Sequence, residues 1–377
     1  MNKFKRITFL WLLLISIFLI FNFLIFFNFT NKVYPSTSKT TIGDLARMSY
    51  LVDIVQDRKN IVDLGKVHLS QNDYINQNIE ILTIGDSFSN GGAGGKNSYY
   101  QDYISTFYNK NVLNLNPQKI DNTSNYIEII SLFANSDYLE KMGVKYVLVE
   151  SVQRESLVRF ANNDLNFSIK NNNNLKSIFE NFKQTYTIEE LHTFKPSIIN
   201  NLNFNAFFYN MKYYVKGYGK LNSSVYVEKL NKELFTSKSR SKLVFFHDDI
   251  KKLSLETKEN IELLNQNFNN LAAILEKKGI KLIFMPAVDK YNLYRPYIVS
   301  NNYKESIFFE YLSTLDKKYI FINTKEILLK SLENDEKDIF YADDTHWSYK
   351  ASEQIIKSED FNKIFNKGEN DFSKIKK

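Results

Sequence analysis

The chain contains no cysteine among its 377 residues. This excludes a disulfide scaffold, a thiolate zinc site and a cysteine nucleophile, but leaves the redox compartment open, because a lack of thiols fits either side of a membrane. Histidine is nearly as scarce: His68, His192, His247 and His346 are the only candidates for chemistry that needs imidazole. Charge of one sign is never concentrated. Lys and Arg total 49 against 42 Asp and Glu, a formal charge of +7, without a block of five or six like charges. The surplus therefore reads as a solvated surface, and no nucleic-acid partner is expected. With 44% hydrophobic and 24% charged residues the chain is too apolar to be disordered. Its length allows one large or two small domains. The 24 Tyr and 31 Phe accompany a general bias toward Asn, Lys and Ile, so they carry no weight as a sugar-stacking surface.

Long apolar runs are absent except for one. Ile7 to Phe29 is free of charge, and as a helix it would span about 34 Å against a hydrocarbon core of about 30 Å. Lys3, Lys5 and Arg6 precede it and Lys32 follows, so the positive-inside bias keeps the N-terminus cytoplasmic. A cleavable signal has a shorter apolar region and a small-residue cleavage site, whereas this run exits into FTNKVYP. The expectation is a cytoplasmic tip and transmembrane anchor over residues 1–32, with residues 33–377 forming a soluble extracytoplasmic domain. Residues 30–45, rich in Thr, Ser and Asn, read as a linker.

Beyond residue 45 the pattern alternates. EILTI, from Glu80 to Ile84, reads as a strand ending on Gly85-Asp86-Ser87 and a glycine-dense stretch that includes Gly91 and Gly92. A helix is expected near Tyr99 to Phe107, a strand at Val112 to Asn116, an amphipathic stretch from Tyr126 to Met142 stopped by Gly143, and a buried strand from Lys145 to Glu150. Ile261, Leu264, Phe268, Leu271 and Leu275 share one helix face. Gly279 stops that helix, IKLIFM follows as a strand ending before Pro286, and Tyr319 to Asn323 is a further strand before a helix from Lys325 to Leu332. This alternation predicts an α/β fold, a doubly wound, mostly parallel sheet flanked by helices, whose ligands collect at the carboxyl ends of the strands. Residues 156–240 break the pattern with Asn-rich and aromatic segments and are expected to form an insertion.

Two segments carry chemistry. A serine after the first strand, on a glycine-rich turn, presents its hydroxyl at the sheet edge, where backbone N–H groups can stabilise an oxyanion. Glycines such as Gly91 and Gly92 let a substrate approach the backbone there. Far along the chain, Tyr341-Ala342-Asp343-Asp344-Thr345-His346-Trp347-Ser348 places two carboxylates beside one histidine, so that either Asp can orient the ring. Together they supply what a Ser-His-Asp hydrolase or acyltransferase requires. His247, before Asp248 and Asp249, is the rival imidazole; His68 and His192 read as structural or surface residues.

GDSFS with a late DTHW resembles the SGNH-hydrolase superfamily, and DTHWS is similar to its alginate O-acetyltransferase (AlgX/AlgJ-like) branch. VLVESVQRE (Val147 to Glu155) and MPAVDKYNLY (Met285 to Tyr294) extend the resemblance. It implies Ser87 as nucleophile, His346 as general base and acid, and Asp344 as the orienting carboxylate. The spacing usual in the superfamily would instead select Asp343. The serine-first order is that of the superfamily at large, whereas in the alginate branch the Asp-His segment comes first. No GxND block supplies an oxyanion Asn; Gln153 and Arg154 stand at the corresponding strand end, and Arg154 has a surface ion pair with Glu150 or Glu155 as its alternative. The resemblance further implies an O-acyltransferase that acetylates a cell-envelope or exported polysaccharide, with its acyl group delivered by a multi-span membrane O-acyltransferase, and with no cofactor or metal. An esterase using the same residues, and a non-catalytic polysaccharide-binding subunit of an export complex, are the alternatives.

Overall fold

The computed structural model describes residues 3–35, 41–116, 125–175, 177–179, 196–300 and 302–365. Its strands are β1 (Leu69–Ser70), β2 (Ile81–Ile84), β3 (Val112–Leu115), β4 (Tyr146–Val152), β5 (Gly219–Lys220), β6 (Val225–Lys229), β7 (Lys242–Phe246), β8 (Lys281–Ala287) and β9 (Ile320–Phe321). Six of them form one parallel sheet in the order β1-β3-β2-β4-β8-β9. Every residue of β2 and β3 is buried, as are all but the first of β4 and of β8. Both faces are covered, which is why these strands read as unbroken apolar runs. The chain steps outward from β2 to β3 and then crosses back to β4 on the other side of β2. This opens a crevice at the carboxyl ends of β2 and β4.

Helices occupy both faces, as right-handed crossovers between parallel strands require. Lys258–Glu276 packs against Tyr126–Asn135 and Gln153–Phe160, and its Phe268 ring lies 4.0 Å from Phe284 of β8 and 5.0 Å from Phe160. Tyr100–Phe107 and Tyr349–Ile356 pack together elsewhere on the sheet. Local signals set the helix ends. Thr257 caps the long helix by accepting from the Asn260 N–H, and Asn125 caps Tyr126–Asn135 by accepting from Ile127.

Three sequence expectations change. First, β8 runs through Pro286 to Ala287 rather than stopping before it. β9 pairs only with Ile283 and Phe284, so the missing N–H of Pro286 breaks no ladder on that side. Second, the segment expected as a linker is built into the domain on either side of residues 36–40, which lie outside the described residues. Val33, Ile42 and Leu45 are buried in the core, and residues 44–49 form a helix. Third, the expected insertion is not set apart. Its first residues, to Phe160, complete the helix that begins at Gln153, and β5 and β6 pair antiparallel with β7, which lies beyond residue 240. The small sheet joins the main core: the Phe245 ring is 5.2 Å from that of Tyr291.

At the N-terminus the helix Lys3–Ile25 continues through a π-turn, Phe26–Thr30, into Asn31–Val33. It is the one helix among the described residues that is long and apolar enough to cross a membrane.

Candidate active site

The turn after β2 presents one of its two serines. Ser87 is exposed. Ser89 is buried, its hydroxyl donating to Glu150 at 2.8 Å and lying 3.0 Å from that of Tyr100. Asp86 braces the turn by accepting from the N–H of Phe88 (3.2 Å) and Val152 (2.9 Å) and from Arg159 (2.6 Å). Glu150 Oε2 also accepts from the Asp86 N–H, while Glu150 Oε1 has no partner. Burial, and then the charge of Asp86, raise the Glu150 carboxyl well above its ordinary range, so it stands neutral beneath the turn.

The late Asp-His segment meets this turn. Ser87 Oγ lies 2.7 Å from His346 Nε2, and His346 Nδ1 lies 2.7 Å from Asp344 Oδ1. The same carboxylate oxygen accepts from the His346 backbone N–H at 2.9 Å. With Nδ1–H donating to Asp344, Nε2 is left to accept the Ser87 hydroxyl proton. The aromatic residues of the two motifs hold them together. The Phe88 ring lies 4.8 Å from the imidazole and edge-on to Trp347 at 5.0 Å. Phe88 and Trp347 are both nearly inaccessible, so docking the segments buries two large rings at the cost of exposing none.

The electrostatics favour an ion-pair-like Asp-His unit. Burial alone would lower the proton affinity of His346, but its hydrogen bond to Asp344 and the charges of Asp344 and Asp44 outweigh that and raise it above the ordinary value. Burial would likewise raise Asp344; the hydrogen bond and charge of His346, with Arg58, hold it below the usual carboxylate range.

The two candidate carboxylates have different tasks here. Asp343 does not face the imidazole: it accepts from Arg58 at 2.6 Å and from the Gly43 N–H at 3.0 Å. Gly92 lies against the ring, and a Cβ there would sit 2.5 Å from His346 Nε2. Gly91 contacts Tyr99 and Ser98 instead. Gln153 is committed elsewhere, donating to Glu256 and Ser306 and accepting from Asn292 and the Asp289 N–H. That leaves it nothing to offer an oxyanion. Arg154 pairs with neither Glu150 nor Glu155. Its Nη1 donates to Asp289 (2.9 Å) and Asp249 (3.2 Å), and its charge reaches His346. His247 stacks on Tyr226 and has no contact with the serine turn; His68 is bound to Asp102 at 2.7 Å; His192 lies outside the described residues.

Three residues of this site had no sequence signal. Asp44, in the expected linker, accepts from the Thr345 N–H at 2.8 Å and from its hydroxyl at 2.5 Å. Arg58 spans Asp343 and Asp344 (2.6 and 3.2 Å) and lies over the Tyr341 ring at 4.3 Å. Lys290, fully buried, donates to the carbonyls of Tyr341, Ala342 and Asp344 at 2.7 to 3.0 Å. Burial pushes its amine down to about 8, against the pull of Asp343, Asp344 and Asp44. Donor atoms of Asp44, Asp344 and His346 converge within 4.8 Å, close enough for a cation. Yet Asp344 Oδ1 is bound to the imidazole, and both Asp44 oxygens accept from Thr345, so protein donors already occupy them.

A doubly wound parallel sheet with an exposed serine after β2 and a late Asp-His segment beside it defines an SGNH hydrolase-like domain. Comparison with known families agrees: residues 238–355 match the model described as SGNH hydrolase-like domain, acetyltransferase AlgX. The matched stretch contains Lys290 and the DTHW segment, and the Ser87 turn lies before it. No curated protein and no solved structure matches the chain.

Proposed function

We propose that the protein is a membrane-anchored serine O-acyltransferase that acetylates a cell-envelope or exported polysaccharide. The observation that carries this reading is the continuous chain Ser87–His346–Asp344 with both links at 2.7 Å; the matched AlgX description supports acetyl as the group and a polysaccharide as the acceptor. His346 Nε2 takes the proton of Ser87 as Oγ adds to the acyl carbonyl, then returns it to the leaving oxygen of the donor, leaving an acyl-serine. A sugar hydroxyl gives its proton to His346 and attacks that ester, and the proton passes to Ser87 as the sugar ester departs. Asp344 holds the tautomer and stabilises the imidazolium. The backbone N–H of Ser87, which has no protein acceptor among the described residues, is the oxyanion donor, and Arg154 supplies positive charge nearby.

The helix Lys3–Ile25 serves as the anchor, with Lys3, Lys5 and Arg6 on the cytoplasmic side. Cytoplasmic acyl donors then require a multi-span membrane O-acyltransferase to carry the acyl group across. With water as acceptor the same residues would make an esterase.

Labelling with a serine-directed fluorophosphonate tests the nucleophile: label should appear on Ser87 and vanish in Ser87→Ala and His346→Ala. Acetyl-donor turnover with and without oligosaccharide then separates transfer from hydrolysis. Turnover indifferent to Ser87→Ala would overturn the catalytic reading in favour of a silent binding subunit.

A further inference from the structure

The helix Leu202–Lys216 has two faces of different use. Asn203, Ala206 and Asn210 are buried against the protein. The opposite stripe, Phe204, Phe207, Phe208, Met211, Tyr214 and Val215, is exposed, with Val215 78% and Phe208 53% accessible. The spacing of three and four is that of one helix side. Surface apolar residues normally occur singly, and a continuous aromatic stripe marks a surface that is covered in the working state.

The cover is identified by what the stripe adjoins. Phe21 of the N-terminal helix lies 5.3 Å from the Phe204 ring and 5.4 Å from that of Phe207, so the stripe is continuous with the lipid-facing surface of that helix. Phe21 precedes Phe29, the last residue of the charge-free run, by eight positions, placing this contact about 12 Å inside the end of the apolar span at 1.5 Å per residue. A polar pair supports the same depth. Asn22 within the apolar run is fully buried and accepts from the Asn203 side chain at 2.8 Å, and Thr30 donates to Asn203 at 2.8 Å. Polar groups at membrane depth need such internal partners. Toward its other end the helix turns to the folded domain: Asn210 donates to the Tyr50 carbonyl, while Lys212, Tyr213, Lys216 and Tyr218 cluster there, a composition suited to the headgroup layer.

We infer that helix Leu202–Lys216 is a second membrane attachment, its Phe204–Val215 stripe immersed in lipid of the outer leaflet beside the N-terminal helix. The inference rests on the anchor reading above. Two attachments joined by Asn22–Asn203, with Thr30 and Val33 buried rather than in a free linker, hold the domain at a defined height and tilt on the bilayer instead of letting it swing on a tether.

The absence of cysteine makes the test direct. Single variants Phe208→Cys, Met211→Cys, Leu14→Cys and Ile61→Cys of the full chain, labelled with a nitroxide and reconstituted in phosphatidylcholine–phosphatidylglycerol vesicles, are compared for collision with oxygen and with a water-soluble nickel chelate. All four positions are exposed, so the substitutions disturb no packing. Oxygen collisions should exceed nickel collisions at 208, 211 and 14, with the ratio inverted at 61. Nickel access at 208 and 211 together with lipid exposure at 14 overturns the second attachment while leaving the anchor. Nickel access at 14 removes the anchor itself. Exclusion of both reagents at 208 and 211 means that protein, such as a second copy of the chain, covers the stripe, and also overturns the inference.

Discussion

Replacing Gly92 by Ala adds one carbon atom at the point where the imidazole rests. The new Cβ would lie 2.5 Å from His346 Nε2 and 2.8 Å from Cδ2 and Cε1, against about 3.5 to 4.0 Å for an unstrained contact. The ring must therefore retreat by about 1 Å, which stretches its 2.7 Å contact with Ser87 beyond hydrogen-bond reach. The His346 side chain is 13% exposed and has room to move outward, so the fold should lose no more than the low end, about 1 kcal/mol, of a usual overpacking penalty. Turnover should suffer far more, since a misplacement of about 1 Å costs on the order of 100-fold. The assay is kcat for p-nitrophenyl acetate with the full chain in detergent, together with fluorophosphonate labelling rate and melting temperature. Gly91→Ala is the control. Gly91 has φ +69°, so alanine is strained there by about 1 kcal/mol, but its Cβ meets Tyr99 and Ser98 rather than the imidazole. Wild-type kcat in Gly92→Ala, alongside an inactive Ser87→Ala, would refute the claim that the ring position seen here is the working one.

Three further outcomes are expected. Because Asp344 and Asp44 raise the proton affinity of His346, activity should fall with decreasing pH at a midpoint above about 6.5, and Asp344→Asn should both reduce kcat and move that midpoint downward; an unmoved midpoint would show that Asp344 does not govern the ring. Asp343→Asn, which weakens the tie to Arg58 and Gly43, should lower the melting temperature while leaving the midpoint in place. The Glu150 carboxyl is raised in the fold, so its favourable neutral form is fully present below the unfolded value near 4.5 and stability drains as pH rises toward the folded value; the melting-temperature advantage of Glu150→Gln over wild type should therefore widen from pH 5 to pH 8, and a constant difference would count against a neutral Glu150. Lys290→Met strands three buried carbonyls, a loss of about 3 kcal/mol, read in calorimetry as a melting temperature lower by roughly 10 °C.

What was legible without the structure rests on short-range periodicity and turn chemistry. The strands at 81–84, 112–115 and 146–152 and the helix Lys258–Glu276 follow from which residues repeat at two, three or four, and from where glycine or a capping side chain ends the run. The apolar N-terminal helix and the two motif segments that carry Ser87, Asp344 and His346 are likewise written locally. Tertiary structure decided everything that depends on a partner far along the chain. Asp344 rather than Asp343 faces the ring because Arg58 and Gly43, about 285 and 300 residues away in sequence, take up Asp343. Gln153 and Arg154 are neighbours at one helix start, yet packing turns the first into a buried network with Glu256, Ser306 and Asn292 and leaves the second near the imidazole. Asp44 and Lys290 look like ordinary polar residues until the fold encloses them. Asn22 and Asn203 become a pair only when the helix Leu202–Lys216 lies against the N-terminal one. A charge or amide in sequence has many solvated alternatives; burial removes them and leaves the one partner that satisfies it, and that choice is made by the packing of elements that are distant along the chain.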